Sequence, residues 1–317
     1  MGSHIQTEEY SPRESVRFLH AVGKSTVLQG ITIPAAAQDK CLRALAKGQA
    51  EPVTIRYGEG HIAEAVLRRI NNAVGHLQFR YEGKKNAPLR DYLRTTFGNH
   101  PANALLEVAK VGPSTYEFRP IAPCDGNKPQ LTLYEPFLFG ISEHDPDATS
   151  RLSDVNQVLR QVEYDPMFAQ AEYNSRISQA FLTNGWREEV RILDQIGLRV
   201  DFEKDNLWVE VEFGNARTYY QDYMNLLLAG RYRAAKYGML LSPTTAFANM
   251  LCELGQTRAA AKRGTTGKIP SYSGMMTFEK ALREFPYLSF IITHPLIIGG
   301  LHFATGLKRQ SEARLVS

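Results

Sequence analysis

The chain has 317 residues, 43% hydrophobic and 22% charged, with a formal net charge of +4, an ordinary globular composition whose length suits two domains better than one. No run of about 18 uncharged apolar residues occurs, so no helical membrane span and no membrane partner are expected. Cys41, Cys124 and Cys252 are scattered without CxxC spacing, which implies neither a disulfide framework nor zinc and fits a reducing cytoplasm.

The opening Met1-Gly-Ser-His4 reads as a cloning scar, and no signal peptide follows it. Short β-type runs then come at Val16–Val22, Ile31–Ile33, Val53–Tyr57, Gly75–Tyr81 and Leu105–Ala109, punctuated by Gly, Pro and Asn. Ala35–Lys47 and Pro88–Phe97 read as short helices. Many short strands with few helices predict a small β-rich barrel or sandwich. Ile5–Ala122 holds 16 Lys+Arg against 11 Asp+Glu, or +5, and the remaining 21 against 22 give −1. The basic excess therefore lies wholly in the N-terminal third, as nucleic-acid binding requires, although enzymes that never touch DNA carry as much. At Ile121-Ala-Pro-Cys-Asp-Gly-Asn-Lys-Pro129 the pattern collapses into turn residues. The boundary is placed there, giving domains over 5–125 and 130–317.

The second region begins with helical stretches at Ser153–Val162 and Met167–Leu182, the latter closed by Asn184-Gly185. Strands are expected at Val200–Phe202, Leu207–Phe213, Tyr237–Leu241 and Leu288–Ile292, within a strongly apolar segment reaching Leu301 and interrupted by His294 and Pro295. Between them Tyr219–Ala229 reads as a helix, with Tyr220, Tyr223, Met224, Leu227 and Leu228 forming one apolar face. The fold class is thus α+β multidomain, with a mixed α/β region behind the β-rich one.

Chemistry concentrates in Arg199-Val-Asp-Phe-Glu-Lys-Asp-Asn-Leu-Trp-Val-Glu-Val-Glu-Phe-Gly214. On the second strand Val209, Val211 and Phe213 point one way, and Glu210 and Glu212 the other. A two-residue turn at Asp205-Asn206 pairs Lys204 with Leu207 and brings Asp201 opposite Glu210. Directly opposed like charges destabilise a hairpin, so three crowded carboxylates call for a hard cation with oxygen ligands, Mg²⁺ above all. Metal-assisted phosphodiester hydrolysis uses such a site. Glu-x-Glu on an alternating strand also fits a plain solvated face, and a carboxylate pair also suits a glycoside hydrolase.

The segment Val200–Leu228, with Val209-Glu-Val-Glu-Phe-Gly-Asn-Ala-Arg-Thr-Tyr-Tyr-Gln-Asp-Tyr-Met224, resembles the BglII/BstYI-like type II restriction endonucleases of the PD-(D/E)XK superfamily. That family shows an Asp, eight intervening residues, Glu-x-Gln, Phe-Gly and then a helix. Gly185-Trp186 and the run His294–Leu301 extend the resemblance over roughly Met167–Phe303. It implies a Mg²⁺-dependent nuclease cutting double-stranded DNA at a specific site, with Asp201, Glu210 and Glu212 catalytic. The metal would sit on Asp201, Glu210 and the backbone carbonyl of Val211. Two departures stand out. Glu212 occupies the superfamily's Lys position, and Val200 precedes Asp201 where the superfamily name has Pro. Relatives work as symmetric dimers, so a homodimer is expected. A DNA-binding regulator with a degenerate nuclease fold is the non-enzyme alternative, against which the complete acidic triad argues.

Further candidates are less specific. Glu172, Asn174, Glu188 and Glu189 offer auxiliary polar groups near the metal or plain helix surface. The basic stretch Arg258–Lys268 with the following Ser271 offers phosphate or base contacts through Arg258, Lys262, Arg263, Lys268 and Ser271. Arg217, Arg231, Arg233 and Lys236 are candidates to face DNA or, since helices commonly carry such charges, plain helix surface. In the first region Phe18–Pro34 resembles the start of the DNA-binding pseudobarrel shared by plant transcription factors and the effector domain of EcoRII. Its arms would draw on Arg56, Arg68, Arg69, Asn71, Asn72, Arg80, Lys84 and Lys85.

Overall fold

Alternation of apolar and polar side chains gives the N-terminal strands one buried face. Along Val53-Thr-Ile-Arg-Tyr57 the residues Val53, Ile55 and Tyr57 are buried while Arg56 is exposed, the period of two of a half-buried strand. The computed structural model describes residues 16–23, 26–27, 29–42, 45–70, 75–79, 87–98, 104–121, 128–165, 167–213, 219–252 and 275–303. Strands β1 (Val16–Ala21), β2 (Gly30–Ile33), β3 (Ala50–Tyr57), β4 (His61–Arg69), β5 (Gly75–Phe79), β6 (Leu105–Gly112) and β7 (Thr115–Ile121) form one seven-stranded sheet. Their order is β1-β6-β7-β3-β4-β5-β2, and only β3 and β7 pair in parallel. Phe18, Ile33, Ile55, Leu67, Leu77, Val108 and Phe118 come from seven different strands yet meet in one cluster. The sheet therefore curls round a common core and is nearly closed and barrel-like. Helices α1 (Ala35–Cys41) and α2 (Ala87–Phe97) add Ala37, Cys41, Leu89 and Leu93 to that core. The first helix stops at Cys41, short of the expected Lys47.

The second sheet comprises β8 (Leu131–Phe139), β9 (Arg187–Leu193), β10 (Leu198–Lys204), β11 (Leu207–Val211), β12 (Tyr237–Pro243) and β13 (Leu296–Phe303). Its order is β8-β13-β12-β11-β10-β9, with β11, β12 and β13 parallel and the outer strands antiparallel. Helices α3 (Pro146–Leu159) and α4 (Gln170–Thr183) pack on one face against Val209, Met239, Leu241 and Ile297. Helices α5 (Tyr219–Tyr232) and α6 (Phe278–Glu284) pack on the other, against Trp208, Leu240 and Ile298. Because both faces are covered, β12 and β13 are buried at every position, as central parallel strands are. α3 starts earlier than Ser153, since Asp145 accepts from the Asp147 and Ala148 N–H groups and Pro146 occupies the first turn, a strong N-terminal signal.

Two expectations need correction. Leu288–Ile292 is not a strand: the chain makes a 3₁₀ turn at Phe285–Tyr287 and enters the sheet only at Leu296, directly after Pro295. Pro286 suits that turn, and Pro295 keeps the preceding residues out of the ladder. The apolar face of α5 is also rotated from the expected one. Tyr219, Tyr223, Leu226 and Ala229 are buried together with Asn225, while Tyr220 and Met224 are 46% and 47% exposed. Tyrosines and leucines populate both stripes, so periodicity could not choose between them, and packing against the sheet did.

The edge of the first sheet lies against the second. Arg17 Nη1 donates to Tyr134 Oη (3.2 Å) and pairs with Glu107 (3.5 Å), which also stands 3.7 Å from His302 Nε2. Leu19, Leu105 and Ile121 join the core beneath β13.

The hairpin between β10 and β11 turns on Asp205 and Asn206, both at positive φ (50° and 66°), the type I′ geometry that Asn tolerates and β-branched residues do not. Asn206→Val should cost about 1–2 kcal/mol, read as a lowered urea midpoint, while Asn206→Gly should not. Equal midpoints for the two variants would remove the turn from what sets the register.

Candidate active site

The two-residue turn imposes the pairs Lys204–Leu207, Glu203–Trp208 and Phe202–Val209. Asp201 and Glu210 come next in that register, and there side chains replace the backbone ladder. The Asp201 N–H donates to Glu210 Oε2 (3.4 Å), and the Val211 N–H donates to Asp201 Oδ2 (2.8 Å). One strand thus presents Asp201 and the other Glu210, where the hairpin opens.

Glu210 is only 4% exposed and lies under α5, where Asn225 Nδ2 donates to its Oε1 (2.9 Å). Burial, and then the neighbouring Asp201 charge, push its carboxyl up to about 9. Burial raises Asp201 as well, against the lowering effect of the Val211 N–H, and Glu189 adds to the rise. Without a cation such a pair shares a proton at neutral pH. Beyond β11 the Glu212 N–H donates to the Leu241 carbonyl (2.8 Å), which keeps this residue beside β12. The Glu212 carboxyl is hydrogen-bonded to Asp222 of α5, which burial, and then Glu212, push up to about 8. Asp222 and Asn225 stand three residues apart, hence on one face of the helix. Neither is marked by the sequence pattern, because a polar residue in a helix normally reads as solvent-facing.

Among the described residues no three His, Cys, Asp or Glu side chains are gathered into a ready-made metal cage. Mg²⁺ does not require one, since it commonly takes one or two carboxylates and completes its shell with water and substrate phosphate. Two adjacent carboxyls that hold a proton for want of a countercharge, with the Val211 main chain beside them, fit such an ion.

The other candidates divide. Glu172 accepts from the Ala169 N–H (3.0 Å) and caps α4, and Asn174 is exposed on the same helix. Glu188 bonds Ser178, and Glu189 pairs with Arg199 (3.3 Å). Arg233 donates to the Ile192 carbonyl (2.9 Å) and Lys236 to Asp147 (2.7 Å), so both are engaged within the chain, while Arg231 is exposed. Arg56 and Arg68 are exposed on the outward face of β3 and β4. Arg69 instead donates to the Leu45 carbonyl (2.9 Å) and braces the preceding loop. Arg217, Arg258, Lys262, Arg263, Lys268, Ser271, Asn71, Asn72, Arg80, Lys84 and Lys85 lie outside the described residues.

The family model for the restriction endonucleases BglII/BglIII matches residues 143–301. Among solved structures the chain is similar to restriction endonuclease BglII complexed with a DNA 16-mer. The identity is 15%, over 55% of this chain and 76% of that one, with a TM-score of 0.36. No curated protein sequence matches the chain.

The raised carboxyls make stability pH-dependent. Between the ordinary value of 4.5 and about 9, Glu210 binds more proton folded than unfolded. Its contribution is full below that window and is lost as pH rises through it. Metal-free protein should therefore melt lower at pH 9 than at pH 6, and Glu210→Gln should narrow the gap by at least about 2–4 °C. An identical gap in Glu210→Gln, followed by differential scanning calorimetry, would contradict the burial argument.

Proposed function

The chain belongs to the BglII/BglIII restriction endonuclease family, and from that premise we propose that it is a Mg²⁺-dependent type II endonuclease with a PD-(D/E)XK catalytic fold over residues 130–317. It hydrolyses phosphodiester bonds at a specific site in double-stranded DNA. The observation that carries this is the half-buried Asp201 beside the buried Glu210 at the open end of the hairpin, inside the matched residues. Asp201, Glu210 and the Val211 carbonyl would hold the ion. When bound, Mg²⁺ polarises the scissile phosphate and lowers the pKa of a water. Glu212 orients the attacking water and is itself held by its hydrogen bond to Asp222, whose carboxyl burial and then Glu212 push up to about 8. Asp201 and Glu210 receive backbone N–H groups, so their orientation is set before substrate arrives.

Residues 5–125 would read the DNA. Support comes from the +5 charge of Ile5–Ala122 and from the exposed Arg56 and Arg68 on adjacent strands. Cutting both strands with one metal site per chain calls for a second copy. The exposed Tyr220 and Met224 on α5 offer it an apolar surface next to α6, to which Tyr220 bonds through Glu284. Light scattering of the full chain should give twice the chain mass, and a monomer in cleavage-competent solution would overturn the dimer. Replacing Arg56 and Arg68 together by Ala should weaken DNA binding uniformly across sequences and reduce the salt slope by about one for each phosphate no longer neutralised. An unchanged slope would separate these arginines from DNA.

Incubated with plasmid and Mg²⁺, the protein should release discrete fragments, and EDTA should stop it. Asp201→Ala and Glu210→Ala should abolish cleavage and leave DNA binding in place. Glu212→Gln should retain measurable cleavage and Glu212→Ala far less, because positioning survives in an amide whereas an obligate base loses about 10²–10⁴-fold. Normal cutting by Asp201→Ala or Glu210→Ala would sink the assignment.

A further inference from the structure

The catalytic hairpin accounts for Asp201, Glu210 and Glu212, but Asn225 lies on a different element. It is 7% exposed on the sheet-facing side of α5, among Tyr219, Tyr223, Leu226 and Ala229. An amide buried on an otherwise apolar helix face is costly unless it is bonded, and an aliphatic side chain would fill the same space without that cost. Half of the amide is bonded, through Nδ2 to Glu210 Oε1 at 2.9 Å. The other half, Oδ1, is buried and has no partner among the described residues. We propose that Asn225 is a positioning residue that fixes the Glu210 carboxylate for the divalent cation. This inference rests on the assignment of Glu210 as a ligand made above.

The geometry gives each Glu210 oxygen one N–H donor. Oε1 accepts from Asn225 on α5, and Oε2 accepts from the Asp201 backbone on β10. Two donors from two elements lock the carboxylate against rotation, as a single donor does not. They also leave each oxygen a lone pair free for an ion. The unpaired Oδ1 of Asn225 is an acceptor at the same place, suited to the coordinated waters that Mg²⁺ retains. A hydrogen bond that orients a metal ligand belongs with that ligand functionally, and its loss typically lowers metal affinity about 10–100-fold.

The test uses the full chain without DNA and Mn²⁺ as the probe, its free concentration read by electron paramagnetic resonance. Asn225→Leu removes the donor at nearly constant volume. It should weaken Mn²⁺ binding about 10–100-fold at unchanged stoichiometry, while the metal-free protein keeps a single cooperative melting transition, which separates the loss of affinity from a loss of the fold. In cleavage assays the Mg²⁺ concentration for half-maximal rate should rise by a similar factor, with most of the rate recovered at saturating Mg²⁺. Glu210→Gln supplies the reference for a lost ligand. Wild-type Mn²⁺ affinity in Asn225→Leu, with wild type itself binding and cutting, would overturn the role of Asn225 alone. Absence of both Mn²⁺ binding and cleavage in wild type would instead overturn the assignment of Glu210. Should Asn225→Leu fail to fold, Asn225→Ala, which adds no bulk, carries the same comparison.

Discussion

Two carboxylates held side by side, Glu210 buried and Asp201 half-buried, form the constraint around which the second sheet is organised. Like charges at this separation repel strongly in a medium of low polarity, and burial penalises each charge separately. A folded chain tolerates the arrangement only by surrounding it with donors. Here the donors are largely backbone: the Asp201 N–H serves Glu210 and the Val211 N–H serves Asp201. The Val211 N–H is available because the β10–β11 ladder ends at Phe202–Val209, and the Asp201 N–H because Asp201 is passed over in the pairing of β10 with β9. The break in the ladder and the acidic pair are therefore one feature. It is held in place by the type I′ turn four residues below Asp201 and by α5 above it.

The layered architecture supplies the rigidity that this pair needs. β11 is the last strand of a parallel set of three, and its outward neighbour β10 runs antiparallel. The site thus sits where the sheet changes direction, with Leu207 and Val209 anchored in one apolar layer and Trp208 in the other. Any rotation of β11 would break both layers at once. The edges are built differently. β9 is mostly exposed and charged, and β8 carries Pro136 with a register shift opposite Ile298 and Gly300. Charge, proline and irregularity are the ordinary means of keeping an edge from pairing with another chain.

How much of this was legible in sequence follows from the range of the interactions involved. The hairpin was legible because a two-residue Asp-Asn turn fixes register locally, and the opposition of Asp201 and Glu210 needed nothing more distant. β12 was legible from its apolar run, and β1, β2, β3, β5 and β6 from short β-type runs between turn residues, whereas β7 was not read. β4 escaped because its inward positions include Ala63 and Ala65, and its outward ones Glu64 and Arg68, with little β-propensity to mark them. β8 and β9 escaped through the same edge chemistry that protects them. Asp222 and Asn225 escaped for another reason: whether a polar helical residue faces solvent or a carboxylate depends on which of two similar apolar stripes the sheet selects. That choice is made by tertiary packing and leaves no local trace.

The junction between the two sheets shows the same economy of polar groups in a structural setting. Glu107 on β6 is 3% exposed, yet it meets Arg17 at 3.5 Å, Arg119 at 3.9 Å and His302 at 3.7 Å. A buried carboxylate with several cationic or polar neighbours adds little net stability compared with a well-packed apolar contact, but losing one partner from it is costly. Such a group acts mainly by excluding alternative arrangements. His302 extends the network inward by its Nδ1 contact with Thr244 (2.9 Å), and Thr244 directly follows β12. β12 is the strand whose Leu241 carbonyl receives the Glu212 N–H. A continuous path of specific polar contacts and strand pairing thus runs from the barrel-like sheet through β13 and β12 to the acidic hairpin. Because each step is satisfied in one geometry, displacement of the first sheet relative to the second has to break buried polar contacts. The surface of the first sheet is therefore held in a fixed relation to the acidic hairpin.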